Sequence, residues 1–345
     1  MLKVQLSFYL IIMNAIKHIA VLYTGGTIGM KPTINGLTPA PNLEELTASV
    51  FAEFSNQLHC DWFSNHPLID SSCISLGDWQ QWLDWIDHKQ KYYDGILILH
   101  GTDTLAYSAN IIALARPQLH KPIIMTGALW PFSAHNSDAP LNLQTALAAF
   151  TLPLQQTAIA FNGHLWRAIG STKVSTQCAD GFHTPHFSPL GKWSATQGWQ
   201  QLHFSEPPIS AISLKPAIIN PAVKIHCYTL TPGDNAEMIA SSMKQNFADG
   251  IVLQSYGNGN TPNNTDLIQT IEQICRQGKP FLNISQVLQG QVSDTYAQGE
   301  ALRNSGVINA GCCNLETAVA LLTLAASNKW SESYIKEQLK QNQLL

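Results

Sequence analysis

The chain has 345 residues, of which 45% are hydrophobic, and its formal net charge of −4 is spread without long runs of one sign. Its length favours two domains, and the weak, dispersed charge argues against a nucleic-acid-binding or anionic-membrane-binding surface. The seven cysteines are odd in number and include no CxxC pair, as is typical of reduced thiols in the cytoplasm.

A short apolar segment near the start of the chain, Val4 to Met13, follows Lys3 and has the form of a signal peptide. No small-residue cleavage site follows it, and a stretch of this length is too short to span a bilayer. The alternative interpretation is that residues 1–16 are a leader or a disordered extension and that translation starts at Met13. We therefore expect a cytoplasmic protein with no membrane partner.

The first predicted strand, Ile19 to Tyr23, is uniformly apolar, as is typical of a parallel strand buried on both faces. The segment Thr24-Gly-Gly-Thr27 ends this strand in a glycine turn, where the backbone can turn sharply and a neighbouring group can come close. Thr27 then lies at the carboxyl end of the sheet, where open α/β sheets bind ligands. Capping of the next element is the alternative role for this threonine.

Apolar strands and amphipathic helices alternate along the rest of the chain, which predicts βαβ units with parallel strands. Further strands are predicted over 94–100, 121–126, 157–161, 223–230, 250–255 and 280–284. Helices are predicted over 42–54, 77–86, 104–112, 141–150, 234–247, 265–276 and 314–326. Residues 31–39 are predicted to form a loop, and residues 67–70 a short strand.

The predicted fold class is therefore α/β, with two α/β domains. The larger N-terminal domain, over 17–204, has a mostly parallel sheet with flanking helices, and the smaller C-terminal domain, over 223–345, has a parallel sheet of its own. A linker is predicted over 205–222, because residues 187–221 are rich in Pro, Ser and Gly and have little periodicity.

Three strand ends place hydroxyl or carboxylate groups on one rim of the larger sheet: Thr27, Asp70 with Ser71, and Thr102 with Asp103. A threonine hydroxyl is a weak nucleophile, which attacks an acyl carbon only when a base takes its proton and donors stabilise the oxyanion. The glycine-flanked turns supply backbone N–H groups for the oxyanion. Helix capping is the alternative role for Thr102 and Asp103.

Other common catalytic and metal-binding motifs are absent from the sequence. It contains no G-x-S-x-G elbow, no Walker lysine and no H-E-x-x-H, and GGTIG fails the spacing of a dinucleotide site. Cys178, His183 and His186 have no helical spacing, and only Asp180 adds a carboxylate nearby. We therefore expect neither a metal nor a cofactor.

Two motifs, Thr24-Gly-Gly-Thr-Ile-Gly29 and His100-Gly-Thr-Asp-Thr104, resemble the signatures of the bacterial-type asparaginase/glutaminase family. The flanking sequence looks most like the cytoplasmic type I asparaginases of that family. The resemblance extends to Asp70-Ser-Ser72, Gly127-Ala128, Ser137-Asp138, Ser171-Thr-Lys173, Asp180-Gly-Phe182, Tyr256-Gly-Asn-Gly-Asn260 and Tyr296-Ala-Gln-Gly299. It implies hydrolysis of L-asparagine to L-aspartate and ammonia without a cofactor, by a homodimer or homotetramer.

The resemblance also implies a role for each matching residue. Thr27 is the expected nucleophile, and Thr102, Asp103 and Lys173 are expected to activate a hydroxyl or the incoming water. Asp103 is expected to hold the α-ammonium of the substrate, while Ser71 and backbone donors hold its α-carboxylate. The residues expected to bind substrate are Gly26, Asp70, Ser71, Gly101, Thr102, Asp103, Ala128 and Asn260, the last reaching the site of a neighbouring subunit.

One position departs from the family pattern. The loop after the first motif normally carries a tyrosine that assists the nucleophile, but this chain has Leu37 there and no tyrosine between Thr27 and Tyr92. We predict that Tyr296, in the second domain, supplies the missing hydroxyl. Lys173 acting through Thr102 is the competing proton acceptor.

Two further classes of function remain open from the sequence. Within the enzymes, the alternative is a broader glutaminase-asparaginase or an amidotransferase-type amidase module. Outside them, the alternative is an inactive relative that only binds amino acids, with Leu37 as the sign of lost catalysis. The joint presence of Thr27, Thr102, Asp103 and Lys173 argues against an inactive relative, because a binding module has little need of both hydroxyls and the lysine.

Overall fold

The computed structural model describes residues 16–34, 36–39, 42–203, 216–233, 235–245, 248–293, 302 and 304–345. The predicted leader lies outside this part of the chain except for Ile16, and Tyr296 lies outside it as well. No helix within these residues is long and apolar enough to cross a membrane.

The N-terminal domain is built on an eight-stranded sheet. The described strands of this domain are β1 (Lys17–Tyr23), β2 (Met30–Thr33), β3 (Gly36–Pro39), β4 (Leu58–Ser64), β5 (Gly95–Leu99), β6 (Ile123–Thr126), β7 (Thr157–Phe161), β8 (His164–Arg167), β9 (Thr172–Lys173), β10 (Phe182–His183), β11 (Gly191–Ser194) and β12 (Gly198–Gln200). Their order in the large sheet is β12-β11-β8-β7-β6-β5-β1-β4. The five strands β7, β6, β5, β1 and β4 run parallel, and β8, β11 and β12 extend the sheet in antiparallel pairs.

Helices cover both faces of this sheet. They are α1 (Leu43–Ala52), α2 (Leu76–Lys89), α3 (Leu105–Ala115) and α4 (Ala139–Ala149). One core cluster includes residues of α1 and α4, and the cluster on the other face includes residues of α2 and α3. Because β1 and β5 are apolar at nearly every position, they are buried on both faces. Tyr23, Leu99 and Thr126 are partners across β1, β5 and β6, so the carboxyl ends of these strands meet at one edge.

The C-terminal domain has a four-stranded parallel sheet in the order β13-β14-β15-β16. Its described elements are β13 (Ile225–Thr229), α5 (Asn235–Lys244), β14 (Gly250–Ser255), α6 (Thr265–Arg276), β15 (Phe281–Ser285), β16 (Ile308–Asn309), α7 (Leu315–Asn328) and α8 (Glu332–Gln341). Helix α7 packs against both α3 and β14, and its Thr317 hydroxyl donates to the Asn110 Oδ1 of α3 at 2.6 Å. The apolar face of α7 thus joins the two domains in one core.

The predicted α/β class with two parallel-sheet domains is confirmed. Two local predictions were wrong, and two strands were not predicted. Residues 31–33 and 36–39, predicted as a loop, belong to the β2–β3 hairpin, whose strands carry no apolar pattern. Residues 67–70 form no strand. The strand in this part of the chain is β4, an edge strand in which His59 and Asp61 interrupt the apolar pattern. Strands β11 and β12 occupy a region where little periodicity was seen. The linker over 205–222 stays a prediction, since residues 204–215 lie outside the described part.

Candidate active site

The turn that carries Thr27 depends on two glycines. Gly25 and Gly26 adopt φ of 130° and 93°, a region that favours glycine. A Cβ on Gly25 would overlap the backbone of Ile69, and a Cβ on Gly26 would overlap that of Gly101. Thr27 follows as the first residue of a single 3-10 turn and is half-buried. The two signature motifs therefore touch through Gly26 and Gly101, each one residue before a threonine.

Hydrogen bonds hold three loops together at this edge of the sheet. The Thr24 hydroxyl donates to the Leu99 carbonyl at 2.9 Å, and the Ile69 amide donates to the Thr24 carbonyl at 2.8 Å. The Thr104 hydroxyl donates to the Ser71 carbonyl at 2.7 Å, and the Ser71 side chain packs on Gly101. The loops after β1, β4 and β5 thus converge, with the Ser71 side chain buried among them.

Thr102, Asp103 and Lys173 form one polar cluster. The Lys173 ammonium donates to Thr102 Oγ1 at 2.9 Å and to Asp103 Oδ1 at 2.7 Å. Thr102 is only 7% exposed and the Lys173 side chain 17%, whereas the Asp103 side chain is 63% exposed. A lysine shielded from bulk water beside a hydroxyl can exchange protons with it, and Asp103 offers its open side to a cationic group.

The C-terminal domain fixes the strand that carries Lys173. Glu316, near the start of α7, accepts from the Thr172 hydroxyl at 2.6 Å and from the Lys173 backbone N–H. The Asn314 side-chain amide donates to the Ser171 carbonyl at 2.8 Å. Burial raises the pKa of the Glu316 carboxyl, and these hydrogen bonds oppose that rise. The sequence analysis missed Glu316, because a carboxylate near a helix start ordinarily indicates only a favourable helix dipole.

His100 in the second motif is a structural residue. Its Nδ1 donates to the Gly101 carbonyl at 2.6 Å, since a carbonyl only accepts, and its Nε2 therefore accepts from the Ser108 hydroxyl at 2.9 Å. The Trp79 indole donates to the same hydroxyl at 2.8 Å. Burial lowers the pKa of His100 to about 4, so this histidine is neutral near pH 7 and shapes the turn.

Two of the predicted substrate-binding residues have clear structural contacts. Asp70 is exposed and caps the short 3-10 turn after it, with Oδ1 accepting from the Ser72 amide and hydroxyl, each at 2.9 Å. Ala128 is fully buried after β6, beside Gly127, whose Cα lies against the His100 carbonyl. Both positions border the converging loops, and their roles toward a substrate stay predictions.

Asn260 lies after β14 in the C-terminal domain. Its backbone pairs with Tyr256 in a turn of the C-terminal domain, and no hydrogen bond joins it to the Lys173 cluster among the described residues. The prediction that Asn260 serves a neighbouring subunit therefore remains untested. The prediction for Tyr296 falls outside the described residues.

The surroundings of Thr27 contrast with those of Thr102. Within the described part of the chain, the Thr27 hydroxyl has no hydrogen-bond partner. The phenol of Tyr23 packs against Gly29 below the turn, and burial raises its pKa to about 12, which keeps it protonated. Leu37 on β3 is 48% exposed and has no group that could accept a proton.

No group of three or more His, Cys, Asp or Glu is arranged to hold a metal ion in the residues that the structure covers. His183 pairs with Asp180 at 2.8 Å between Nε2 and Oδ2, and its ring stacks on Trp166.

Comparison with known proteins adds to this geometry. One family model, described as Asparaginase, N-terminal, matches residues 18–207, and another, described as Glutaminase/Asparaginase C-terminal domain, matches residues 224–339. L-asparaginase 1 of Escherichia coli (strain K12) is 31% identical over 335 residues, which cover 94% of this chain and 96% of that protein.

Solved structures share the fold. The crystal structure of L-asparaginase I from Vibrio cholerae O1 matches with a TM-score of 0.82 and 32% identity, covering 94% of this chain and 97% of that one. A structure described as probable cytoplasmic L-asparaginase from Campylobacter jejuni matches with a TM-score of 0.76 over 94% of this chain and 99% of that one. At 23% identity, the latter likeness concerns the fold alone.

Proposed function

The chain belongs to the asparaginase family of enzymes, and from this premise we propose that it hydrolyses L-asparagine to L-aspartate and ammonia through an acyl-enzyme on Thr27. The observation that carries the proposal is the contact of Gly26 with Gly101, which brings Thr27 to the edge where Lys173 binds Thr102 and Asp103. This edge supplies a free hydroxyl and a polar cluster that can move protons.

Acylation begins when the Thr27 Oγ attacks the side-chain amide carbon of asparagine and gives up its proton. Backbone N–H groups of the glycine turns stabilise the oxyanion of the tetrahedral intermediate. The carbon–nitrogen bond then breaks, the nitrogen leaves as ammonia after it gains a proton, and the aspartyl group remains as an ester on Thr27. In our proposal the Thr27 proton passes to the Tyr296 hydroxyl while this hydroxyl gives its own proton to the leaving nitrogen, with Lys173 acting through Thr102 as the competing route.

Hydrolysis of the ester requires a water molecule that loses a proton as it attacks. Lys173 Nζ lies 2.9 Å from Thr102 Oγ1, so a neutral Lys173 amine can take the Thr102 proton while Thr102 takes one from the water, and the pair then returns a proton to Thr27 Oγ. Water attack breaks the ester bond, which releases L-aspartate and restores the Thr27 hydroxyl. Lys173 and Thr102 thus finish the step with their original protons.

Recognition of free asparagine requires groups of both signs, because the substrate is zwitterionic. Asp103 directs an exposed carboxylate to the site and binds the α-ammonium. Ser71 and neighbouring backbone N–H groups bind the α-carboxylate. The cost of leaving either substrate charge unpaired on binding makes both contacts necessary.

The direct test is ammonia release from purified protein supplied with L-asparagine. We expect turnover that Thr27→Ala abolishes while the protein remains folded. No ammonia release from the folded wild type would favour the alternative of an inactive amino-acid-binding relative.

Substrate preference is a separate measurement. One extra methylene changes discrimination by about 1–3 kcal/mol, so L-glutamine is the first competitor to compare by kcat/KM. A higher kcat/KM for glutamine would support the broader glutaminase-asparaginase or the amidotransferase-type amidase module. A clearly higher kcat/KM for asparagine supports the proposal, whereas comparable values for the two amides would support the broader glutaminase-asparaginase.

We further propose that the enzyme acts in the cytoplasm as a homodimer or homotetramer. The cysteine pattern of the sequence, seven residues with no CxxC pair, supports this location. Sedimentation velocity tests the oligomeric state, and Asn260→Ala tests whether the neighbouring subunit takes part. A fully active monomer would contradict the role assigned to Asn260.

A further inference from the structure

A second cavity, of about 250 Å³, lies at the opposite edge of the large sheet from the candidate active site. Arg116 after α3, Thr157 at the start of β7 and Arg167 at the end of β8 line it from the N-terminal domain. Gln338 and Asn342 at the end of the chain line it from the C-terminal domain. The cavity is therefore formed by both domains.

Arg167 is a cation without an anionic partner. Its Nη2 donates to the Asn342 carbonyl at 3.0 Å, and its guanidinium lies 4.0 Å from the ring centre of Phe187. No carboxylate in the described part of the chain forms an ion pair with it. By contrast, Arg116 binds both oxygens of Asp87 at 2.7 Å, and Arg276 binds Glu272 at 2.6 Å.

The charge on Arg167 persists despite its surroundings. Burial lowers the pKa of its guanidinium to about 10, so the side chain remains cationic near pH 7. A guanidinium offers five N–H donors, and the structure uses one of them. Arginine presents these donors as a planar fork that matches a carboxylate.

A second cation lines the same cavity. The Lys121 ammonium donates to the Gln90 and Tyr93 carbonyls, each at 2.6 Å, and forms no ion pair with a carboxylate of the described residues. Carbonyl oxygens leave its positive charge uncompensated. Two cations without an anionic partner therefore line the cavity.

The rest of the lining sets the chemical class. It contains no acidic residue, and its remaining cation, Arg116, is paired with Asp87. Leucine, isoleucine and proline side chains complete the wall. The volume is slightly below the ~300–1,000 Å³ of drug-sized ligand pockets, so the occupant must be small.

We propose that this cavity binds a small carboxylate, whose charged end pairs with the Arg167 guanidinium. Its uncharged remainder packs on the aliphatic wall. Inorganic phosphate shares the affinity for a guanidinium, but it has no apolar part to cover that wall. A carboxylate therefore suits the site better. A bound carboxylate contacts both domains and stabilises the folded chain in proportion to its occupancy.

The test is a titration of the full-length protein with butyrate, and separately with inorganic phosphate, followed by calorimetry and by the Tm. We expect butyrate to bind with one site per chain and to raise the Tm. Arg167→Gln should weaken this binding at least ~10-fold, as loss of a charged hydrogen-bond partner does, while the matched control Arg276→Gln leaves it unchanged. Tighter binding of phosphate than of butyrate would overturn the carboxylate assignment.

Two further variants keep the result decisive if Arg167→Gln fails to fold. Gln338→Glu places a like charge in the cavity and should also weaken butyrate binding at least ~10-fold. Ser71→Ala alters only the candidate active site and should leave the butyrate affinity unchanged. Loss of binding in Ser71→Ala but not in Gln338→Glu would place the anion in the active site and refute the proposal.

Discussion

Thr102 and Thr27 follow two glycines that touch, yet the fold holds their hydroxyl groups very differently. Thr102 is buried and bound by Lys173, whose strand is in turn held by Glu316 from the other domain. Thr27 is half-buried and has no hydrogen-bond partner among the described residues. The fold thus holds the polar cluster in place before a substrate binds. The proposed nucleophile, Thr27, must instead receive a proton acceptor from another part of the chain, and we assign this role to Tyr296.

The largest expected effect comes from breaking the prepared cluster. Lys173→Met removes the ammonium that holds Thr102 and Asp103, and we expect kcat to fall by about 10³-fold, as for loss of a general acid–base group. Steady-state ammonia release measures the change. The surface variant Lys336→Met, which loses only an exposed pair with Glu332, is the control. Near-normal turnover in Lys173→Met would show that the cluster is structural.

A smaller effect tests the other side of the comparison. Tyr296→Phe should lower the acylation rate by about 10²-fold if its hydroxyl takes the proton of Thr27. Leu37→Tyr in the same background places a phenol on the hairpin that follows Thr27, and we expect it to restore part of the rate. Pre-steady-state ammonia release measures both variants. An unchanged acylation rate in Tyr296→Phe would leave Lys173, acting through Thr102, as the proton acceptor.

Glu316→Gln is expected to loosen the position of the Lys173 cluster without removing any of its side chains. The amide retains an acceptor for Thr172 but presents a donor to the Lys173 backbone N–H, so β9 should lose its fixed position. We expect kcat to fall by about 10-fold, the equivalent of one weakened hydrogen bond, with KM little changed. Glu332→Gln, at an exposed ion pair on α8, is the control. Equal kcat in Glu316→Gln and wild type would refute the positioning role.

The same variant has a defined pH signature. Burial raises the folded-state pKa of Glu316, so folding favours its protonated form. The stabilisation from this shift is therefore present below the ordinary glutamate pKa and is lost as the pH rises through the folded-state pKa. Relative to Glu316→Gln, the wild type should lose unfolding free energy over that rise. Denaturant unfolding at several pH values tests this, and parallel stability curves would contradict it.

The smallest expected effect on activity is that of replacing His100, which supports the turn before Thr102 through its hydrogen bond to the Gly101 carbonyl. Its folded-state pKa is about 4 instead of 6.5, so the unfolded chain binds its proton more readily. The unfolding free energy should fall as the pH drops from 6.5 towards 4, by about 3 kcal/mol for this group. His100→Gln should remove that slope while retaining most activity at pH 7. A loss of activity comparable to that of Lys173→Met would instead indicate a chemical role.

The sequence predicts the buried half of the molecule well and its edges poorly. Strands β1 and β5 are almost uniformly apolar and end in glycine turns, so their type and position follow from burial on both faces. Strand β4 is an edge strand with His59 and Asp61 among apolar residues, and its pairing with β1 is a long-range contact that local periodicity does not record.

The candidate site divides in the same way. The convergence of Thr27, Ser71 and Thr102 could be predicted, because the carboxyl ends of neighbouring parallel strands share one edge. The hydrogen bonding of Glu316 to β9 could not be predicted, because it joins residues of two domains. Nothing in the local sequence distinguishes this carboxylate from an exposed one. Similarly, Arg167 lacks an ion-pair partner only as a result of tertiary packing.

The most direct test of the account is mass spectrometry of Lys173→Met, quenched in acid during turnover of L-asparagine and measured both as the intact protein and after digestion to peptides. We expect one aspartyl group to be attached through an ester to the peptide that contains Thr27, and no adduct in the Lys173→Met protein that also carries Thr27→Ala. An adduct on the peptide that contains Thr102, or ammonia release by Thr27→Ala at the wild-type rate, would contradict the assignment of Thr27 as the nucleophile.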